Sequence, residues 1–161
     1  VEVDMLKDSI LDLSMVQQDI YFDQLHYPNS PVYNIGGYID LPRVAVSRLT
    51  QAHQHLIMQH DAFGLRIVTH EKGVGQRIST QRTCELPCID FSKEAAPKAC
   101  AQAWLADFFQ QAINMEDAEL FRAALLKISD DNWYYVGMAH HISMDGWGFA
   151  NWAERLGAYY Q

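Results

Sequence analysis

Trp133-Tyr134-Tyr135-Val136-Gly137-Met138-Ala139-His140-His141-Ile142-Ser143-Met144-Asp145-Gly146 decides how this chain is read. An apolar run ends in two adjacent histidines, an Asp-Gly pair follows, and a helical pattern begins at once. Kept extended, the run sends alternate side chains to opposite sheet faces. Trp133, Tyr135, Gly137, Ala139 and His141 fall on one face, and Tyr134, Val136, Met138 and His140 on the other. The two imidazoles therefore do not share a cavity unless the strand bends. Gly137 and Ala139 are expected to leave space beside His141, which makes it the candidate working residue. His140, crowded by Val136 and Met138, becomes packing or hydrogen-bonding support. Asp145 stands where a carboxylate caps a helix. Gly146 is the residue type for a positive φ or for close approach of a ligand to the backbone. Titratable groups between a buried strand and a helix start are where chemistry is often placed.

Working outward, the segment before this strand reads as its hairpin partner. Phe121 to Ser129 is almost continuously apolar, as in a strand buried on both faces, and Asp130-Asp131-Asn132 turns the chain. After the motif, Phe149, Trp152, Ala153, Leu156 and Tyr160 mark a last helix. Ala101, Trp104, Leu105, Phe108, Phe109, Ala112 and Ile113 hold a helical stripe without a gap. Pro42 is expected to open a helix running to about His60, with Leu49, Ala52, His53, Leu56 and Ile57 as its buried face. Ser14 to Tyr27 reads as a first helix, with Ser14 as N-cap and Val16, Ile20 and Leu25 as a ragged inner stripe. A turn at Tyr27 to Pro31 leads to a strand over Tyr33 to Leu41. In that strand Gly36 and Gly37 suggest a bulge or a close approach by another backbone. Phe63 to His70 and Val74 to Thr80 form a hairpin across Glu71-Lys72-Gly73. The sum is an α/β fold with helices packed on a mixed, largely antiparallel sheet.

The bulk numbers narrow the function. At 161 residues the chain is one domain or one lobe of a larger one. A net charge of −8 without any Lys/Arg run argues against binding nucleic acid or anionic membranes. No apolar stretch is long enough to span a bilayer, and no basic-then-apolar leader opens the chain. Val1 in place of Met suggests a piece of something longer. The thiols Cys84, Cys88 and Cys100 are odd in number and sparse, which fits a reducing cytoplasm. Cys84 and Cys88 lack the further ligands of a zinc site. A metal held by His140, His141 and Asp145 is disfavoured by the alternation that separates the rings.

His140 to Gly146 has the form HHxxxDG and resembles the signature of condensation domains of nonribosomal peptide synthetases. Upstream, Leu13 to Tyr21 is similar to that family's first core motif, SxAQxR followed by an aliphatic and an aromatic residue. Gln59-His60-Asp61-Ala62-Phe63 is similar to its second, RHExL, and Pro31 to Ile35 fits the segment between them. The resemblance runs through nearly all 161 residues in order. The departures are Val16 for Ala and Asp19 for Arg in the first motif. In the second they are Gln59 for Arg, Asp61 for Glu, and Gly64 where an Arg is usual.

The resemblance implies a chloramphenicol-acetyltransferase-like lobe, the first of two, with residues 1–161 as the N-terminal lobe and the C-terminal lobe absent. It implies acyl transfer: a carrier-bound amine attacks a carrier-bound acyl thioester and forms an amide. His141 and Gly146 would be the catalytic residues, and His140 and Asp145 would support the site. No cofactor is expected to be bound intrinsically, since the substrates ride on the phosphopantetheine of peptidyl or acyl carrier proteins. Those carriers, the missing lobe and neighbouring synthetase modules are the implied partners, in the cytoplasm. An arginine is expected to pair with Asp145, and Arg66 is nearest to the expected place. The departures are compatible with a chain-starting subtype that takes a fatty acyl donor. Three alternatives stay open: an epimerisation domain of the same family, a free-standing acyltransferase with an HxxxD core acting on acyl-CoA, and a non-catalytic module that docks a carrier.

Overall fold

The computed structural model describes residues 9–161; the reading of a missing leader concerns residues outside that range. A four-stranded sheet forms the centre. Its strands are β2 (Asn34–Leu41), β5 (Cys88–Asp90), β6 (Phe121–Ser129) and β7 (Asn132–His140), in the order β2-β7-β6-β5. All neighbours are antiparallel except β5 and β6, which run parallel. A second, three-stranded sheet joins β1 (Leu11–Asp12), β4 (Gly73–Ile78) and β3 (Leu65–His70). Among the described residues the α-helices are α1 (Met15–His26), α2 (Val46–Gln59), α3 (Pro97–Gln110) and α4 (Gly146–Tyr160).

Period-2 alternation along β6 and β7 builds two cores. Tyr134, Val136 and Met138 join Ala124, Leu126 and Ile128 on one face, where Ile20 of α1, Ile67 of β3, and Ala101, Leu105 and Phe108 of α3 cover them. Trp133, Tyr135 and Ala139 join Phe121 and Leu125 on the other face, under Leu49, Leu56 and Ile57 of α2 and Trp152 and Leu156 of α4. Burial on both faces explains why β6 is apolar throughout.

The expected elements are present, with corrections. Pro42 lies in a bend before α2, which begins at Val46. The Ala45 N–H is held by the Tyr160 hydroxyl at 3.0 Å, which keeps the chain extended up to that point. The inner face of α2 is the expected one. Phe63 belongs to a 3-10 turn over Asp61–Gly64 and not to β3. Ile113 is buried but lies past the end of α3 at Gln110. Asn34 takes the carbonyls of Phe109 and Gln111 there, each at 2.9 Å. Val16 and Leu25 are exposed; the inner face of α1 is Ile20 and Gln24. The hairpin β3–β4 sits in a separate sheet, and the short strands β1 and β5 have no clear sequence signal.

No bulge interrupts β2, which pairs with β7 in unbroken register from Asn34 to Leu41. Gly36 instead marks a close approach. A Cβ there would stand 2.8 Å from the Met138 Cα and nearer still to the Gly137 carbonyl oxygen. Ser14 caps α1 through a reciprocal box: the Gln17 N–H donates to Ser14 Oγ at 3.2 Å, and the Ser14 N–H to Gln17 Oε1 at 2.9 Å.

Candidate active site

Strand β7 ends at His140, and residues 141–143 turn before α4. His140 is fully buried. His141 is exposed and stands at the edge of a cleft of about 550 Å³. Leu56 of α2, the 3-10 turn at Ala62 and Phe63, and Trp152 and Arg155 of α4 form much of its wall. The two imidazoles thus part as strand alternation predicts. The opening beside His141 has a different origin from the one expected. The space over Gly137 is filled, because a Cβ there would lie 3.0 Å from Trp152 Cη2 and Cζ2. His141 meets the cleft because the strand stops.

Both peptide groups flanking His141 are pinned. Its own N–H donates to the Tyr33 carbonyl at 2.8 Å. The N–H of Ile142 donates to Nδ1 of His140 at 3.1 Å. The Ser143 N–H and hydroxyl both close on the His140 carbonyl at 3.0 Å. The other ring nitrogen of His140, Nε2, lies 3.0 Å from Gln24 Oε1, and Tyr33 stacks on the ring with centroids 5.9 Å apart. Burial, with the neighbouring His141 adding to it, lowers the His140 pKa to about 4, so the ring is neutral.

Asp145 is the N-cap of α4, its carboxylate accepting the Gly148 N–H at 2.8 Å. The expected partner Arg66 is elsewhere. It is buried, donates to the Gln81 carbonyl at 2.8 Å and lies 3.6 Å from Glu119. Arg66 on β3 thus faces the loop that carries Glu119, a contact that no local pattern announces. Gly146 opens α4 without a positive φ, and a Cβ on it would meet nothing within 4 Å. The positive-φ reading of Gly146 is therefore corrected; nothing in the chain itself crowds it.

Gly64 also has a reason. A Cβ at Gly64 would lie 2.5 Å from Arg82 Nε and Nη2. The Arg82 guanidinium donates to the carbonyls of Ile57 at 2.8 Å, His60 at 3.0 Å and Ser79 at 2.9 Å. It closes the C-terminal end of α2 and fastens the turn that walls the cleft. His60, on that wall, is 3.1 Å from the Tyr159 hydroxyl, and burial together with Arg155 lowers its pKa.

Beneath the cleft, Trp152 Nε1 donates to the Tyr135 hydroxyl at 2.9 Å, and that hydroxyl is 2.9 Å from His53 Nδ1. Burial raises the Tyr135 pKa and lowers that of His53 to about 4. The first motif and the HHxxxDG motif meet through Gln17, whose Nε2 donates to the Ile142 carbonyl at 3.1 Å. The roles of Gln17, Gln24, Arg82 and Trp152 were not legible from the sequence. Gln17 carried a signal only as the glutamine of the first motif, and Trp152 only as a member of the last helical stripe. Among the described residues no three His, Cys, Asp or Glu side chains converge to hold a metal. No helix among them is long and apolar enough to cross a membrane.

A strand-end histidine over a cleft, on this α/β arrangement, defines a chloramphenicol-acetyltransferase-like lobe. The condensation-domain family model matches residues 7–161, and the chain belongs to that family, whose members act in nonribosomal peptide synthetases. The chain is 29% identical over 155 residues to a dimodular nonribosomal peptide synthase of Bacillus subtilis, covering 96% of this chain and 6% of that protein. It is 27% identical over 152 residues to an isonitrile lipopeptide synthase of Streptomyces coeruleorubidus, covering 92% of this chain and 10% of that one. The starter condensation domain of rhizomide synthetase RzmA superposes with a TM-score of 0.90 at 34% identity, over 95% of this chain and 37% of that one. A variant of that domain has been solved in complex with C8-CoA and Leu-SNAC, and it superposes with a TM-score of 0.88 at 32% identity. The chain thus spans little more than a third of the solved domains it matches.

Proposed function

We propose that residues 1–161 are the N-terminal lobe of a condensation domain that joins an acyl thioester to the amine of a carrier-bound aminoacyl group. The amine nitrogen attacks the thioester carbonyl, the C–N bond forms, the C–S bond breaks, and the thiol leaves with the proton. His141 meets the amine and takes up its proton, or holds it by a hydrogen bond. Gly146 opens α4, whose first N–H groups have no intrahelical acceptor, and its N–H is the candidate donor to the reacting carbonyl. His140 and Asp145 shape the turn. The observation that carries this reading is His141 at the cleft edge with both flanking peptides fixed.

The likeness to a starter domain supports a chain-starting subtype with a fatty acyl donor, and it favours condensation over epimerisation. Carrier proteins, a C-terminal lobe and neighbouring modules in the cytoplasm are the partners this reading needs. The test is amide formation by the full two-lobed domain from an octanoyl or aminoacyl donor and a loaded acceptor carrier. His141→Ala should lose at least about tenfold in turnover with its melting temperature kept, since His141 is exposed. Full turnover in the folded variant would reject the catalytic role. Carrier binding without any amide product in the unsubstituted domain would point to a docking module instead.

A further inference from the structure

Helix α1 touches the His140–Gly146 turn at two places seven residues apart, Gln17 and Gln24. Gln24 is almost completely buried, at 4% exposure. Its Nε2 donates to the Tyr27 carbonyl at 2.6 Å and to the Ser30 carbonyl at 3.3 Å. With both amide hydrogens committed to carbonyls, Oε1 is the only atom that can face His140, and it can only accept. His140 Nε2 must then carry the proton. That leaves Nδ1 with its lone pair, the form that accepts the Ile142 N–H at 3.1 Å. Gln17 holds the carbonyl of the same residue, Ile142, at 3.1 Å.

We propose that Gln24 is a positioning residue for the reacting histidine: it locks His140 in its Nε2–H tautomer, and His140 together with Gln17 thereby fixes the backbone on the C-terminal side of His141. The proposal rests on the reading of His141 given above. It places on α1 a control over the site that no motif position declares, since Gln24 lies outside the first motif. The groups facing the His140 ring are Gln24 from α1, the stacked Tyr33, whose hydroxyl donates to Asp23 at 2.7 Å, and His141 next in the chain.

The test uses the full two-lobed domain with ¹⁵N-labelled imidazoles, assayed for amide formation and observed by NMR. Unsubstituted, His140 should show the neutral Nε2–H signature throughout the pH range of activity. Gln24→Met removes the acceptor at similar volume. It should scramble the tautomer and lower kcat about tenfold or more, as misplacement of a reacting group does, while both KM values stay within about twofold. Gln24→Glu keeps an oxygen acceptor towards His140 Nε2 while giving up the N–H donations to the Tyr27 and Ser30 carbonyls. It should recover kcat at alkaline pH and move the acid limb of the kcat profile upward, because a carboxylate favours protonation of Nδ1 and so removes the acceptor for Ile142. If Gln24→Met does not fold, Gln24→Glu alone carries the test through that shift. An unchanged tautomer, an unshifted acid limb, or unchanged kcat with an altered tautomer would each overturn the proposal. A domain that shows the tautomer but makes no amide would overturn the functional reading and leave the lock standing.

Discussion

The carboxylate of Asp145 accepts the backbone N–H of Gly148 at 2.8 Å, which makes the acidic member of the motif the first hydrogen-bond acceptor of α4. The same carboxylate lies on the cleft wall. Its measurable duty is to fix where α4 begins. Asp145→Ala should lower the unfolding free energy by about 1 kcal/mol, and Asp145→Ser should restore most of it. Denaturant melts of the three proteins decide this; an Asp145→Ala protein as stable as its parent would remove the cap from the account.

Gly36 and Gly146 should respond in opposite ways to an added methyl group. At Gly36 the Cβ would collide with the backbone of β7 at Met138 and Gly137. Gly36→Ala should cost about 3 kcal/mol or more, as overpacking between strands does. At Gly146 the Cβ meets nothing, and the residue opens a helix. Gly146→Ala should fold with stability within about 1 kcal/mol of the parent. Any loss of turnover in that variant then reports on substrate crowding at the turn. Equal melting temperatures for the two variants would contradict the packing described.

Tyr135 is the middle of a buried relay. Its hydroxyl accepts from Trp152 and is hydrogen-bonded to His53 Nδ1, while Nε2 of His53 has no partner among the described residues. Tyr135→Phe would strand the Trp152 N–H and His53 Nδ1 in the core. The expected loss is about 1 to 3 kcal/mol for each buried group left unpaired. Trp152 fluorescence should shift with it, since the indole N–H loses its acceptor. A Phe variant with unchanged stability and emission would show that the relay contributes nothing.

Folding stability should fall on the acid side of neutrality. His53 and His140 are held near pKa 4 in the folded state, against 6.5 when exposed. Between these values the unfolded chain binds more protons than the folded one, so acid favours unfolding. Stability is fully present above about pH 6.5 and declines as pH drops towards 4, by up to about 3 kcal/mol for each imidazole. Chemical denaturation at a series of pH values measures the slope. His140→Gln should flatten part of it, and an unchanged slope in that variant would assign the effect to other groups.

Much of the frame could be read from periodicity. The alternation in Trp133 to His141 placed the histidines on opposite faces, and the period in Leu49 to Ile57 named the buried face of α2 without error. Ser14 and Asp145 announced helix starts because a cap is a local event, settled within three residues. Elements made by distant partners carried no such mark. The strand β1 is two residues long and exists because β4 pairs with it. The exposed stripe of α1 misled because its inner face is partly polar, with Gln24 buried for its hydrogen bonds.

By itself, then, the sequence determined the α/β class, the partition of the two histidines and the family motifs, since these depend on side-chain period and on local capping. Tertiary structure alone decided what each motif residue touches. Trp152 fills the space that Gly137 was expected to leave open, and Arg66 answers Glu119 instead of Asp145. Gln17 holds the Ile142 carbonyl and Gln24 meets the His140 ring, both from a helix more than a hundred residues earlier in the chain. Contacts between such distant residues are set by how layers pack and by which buried polar groups must find partners, and no local pattern encodes them.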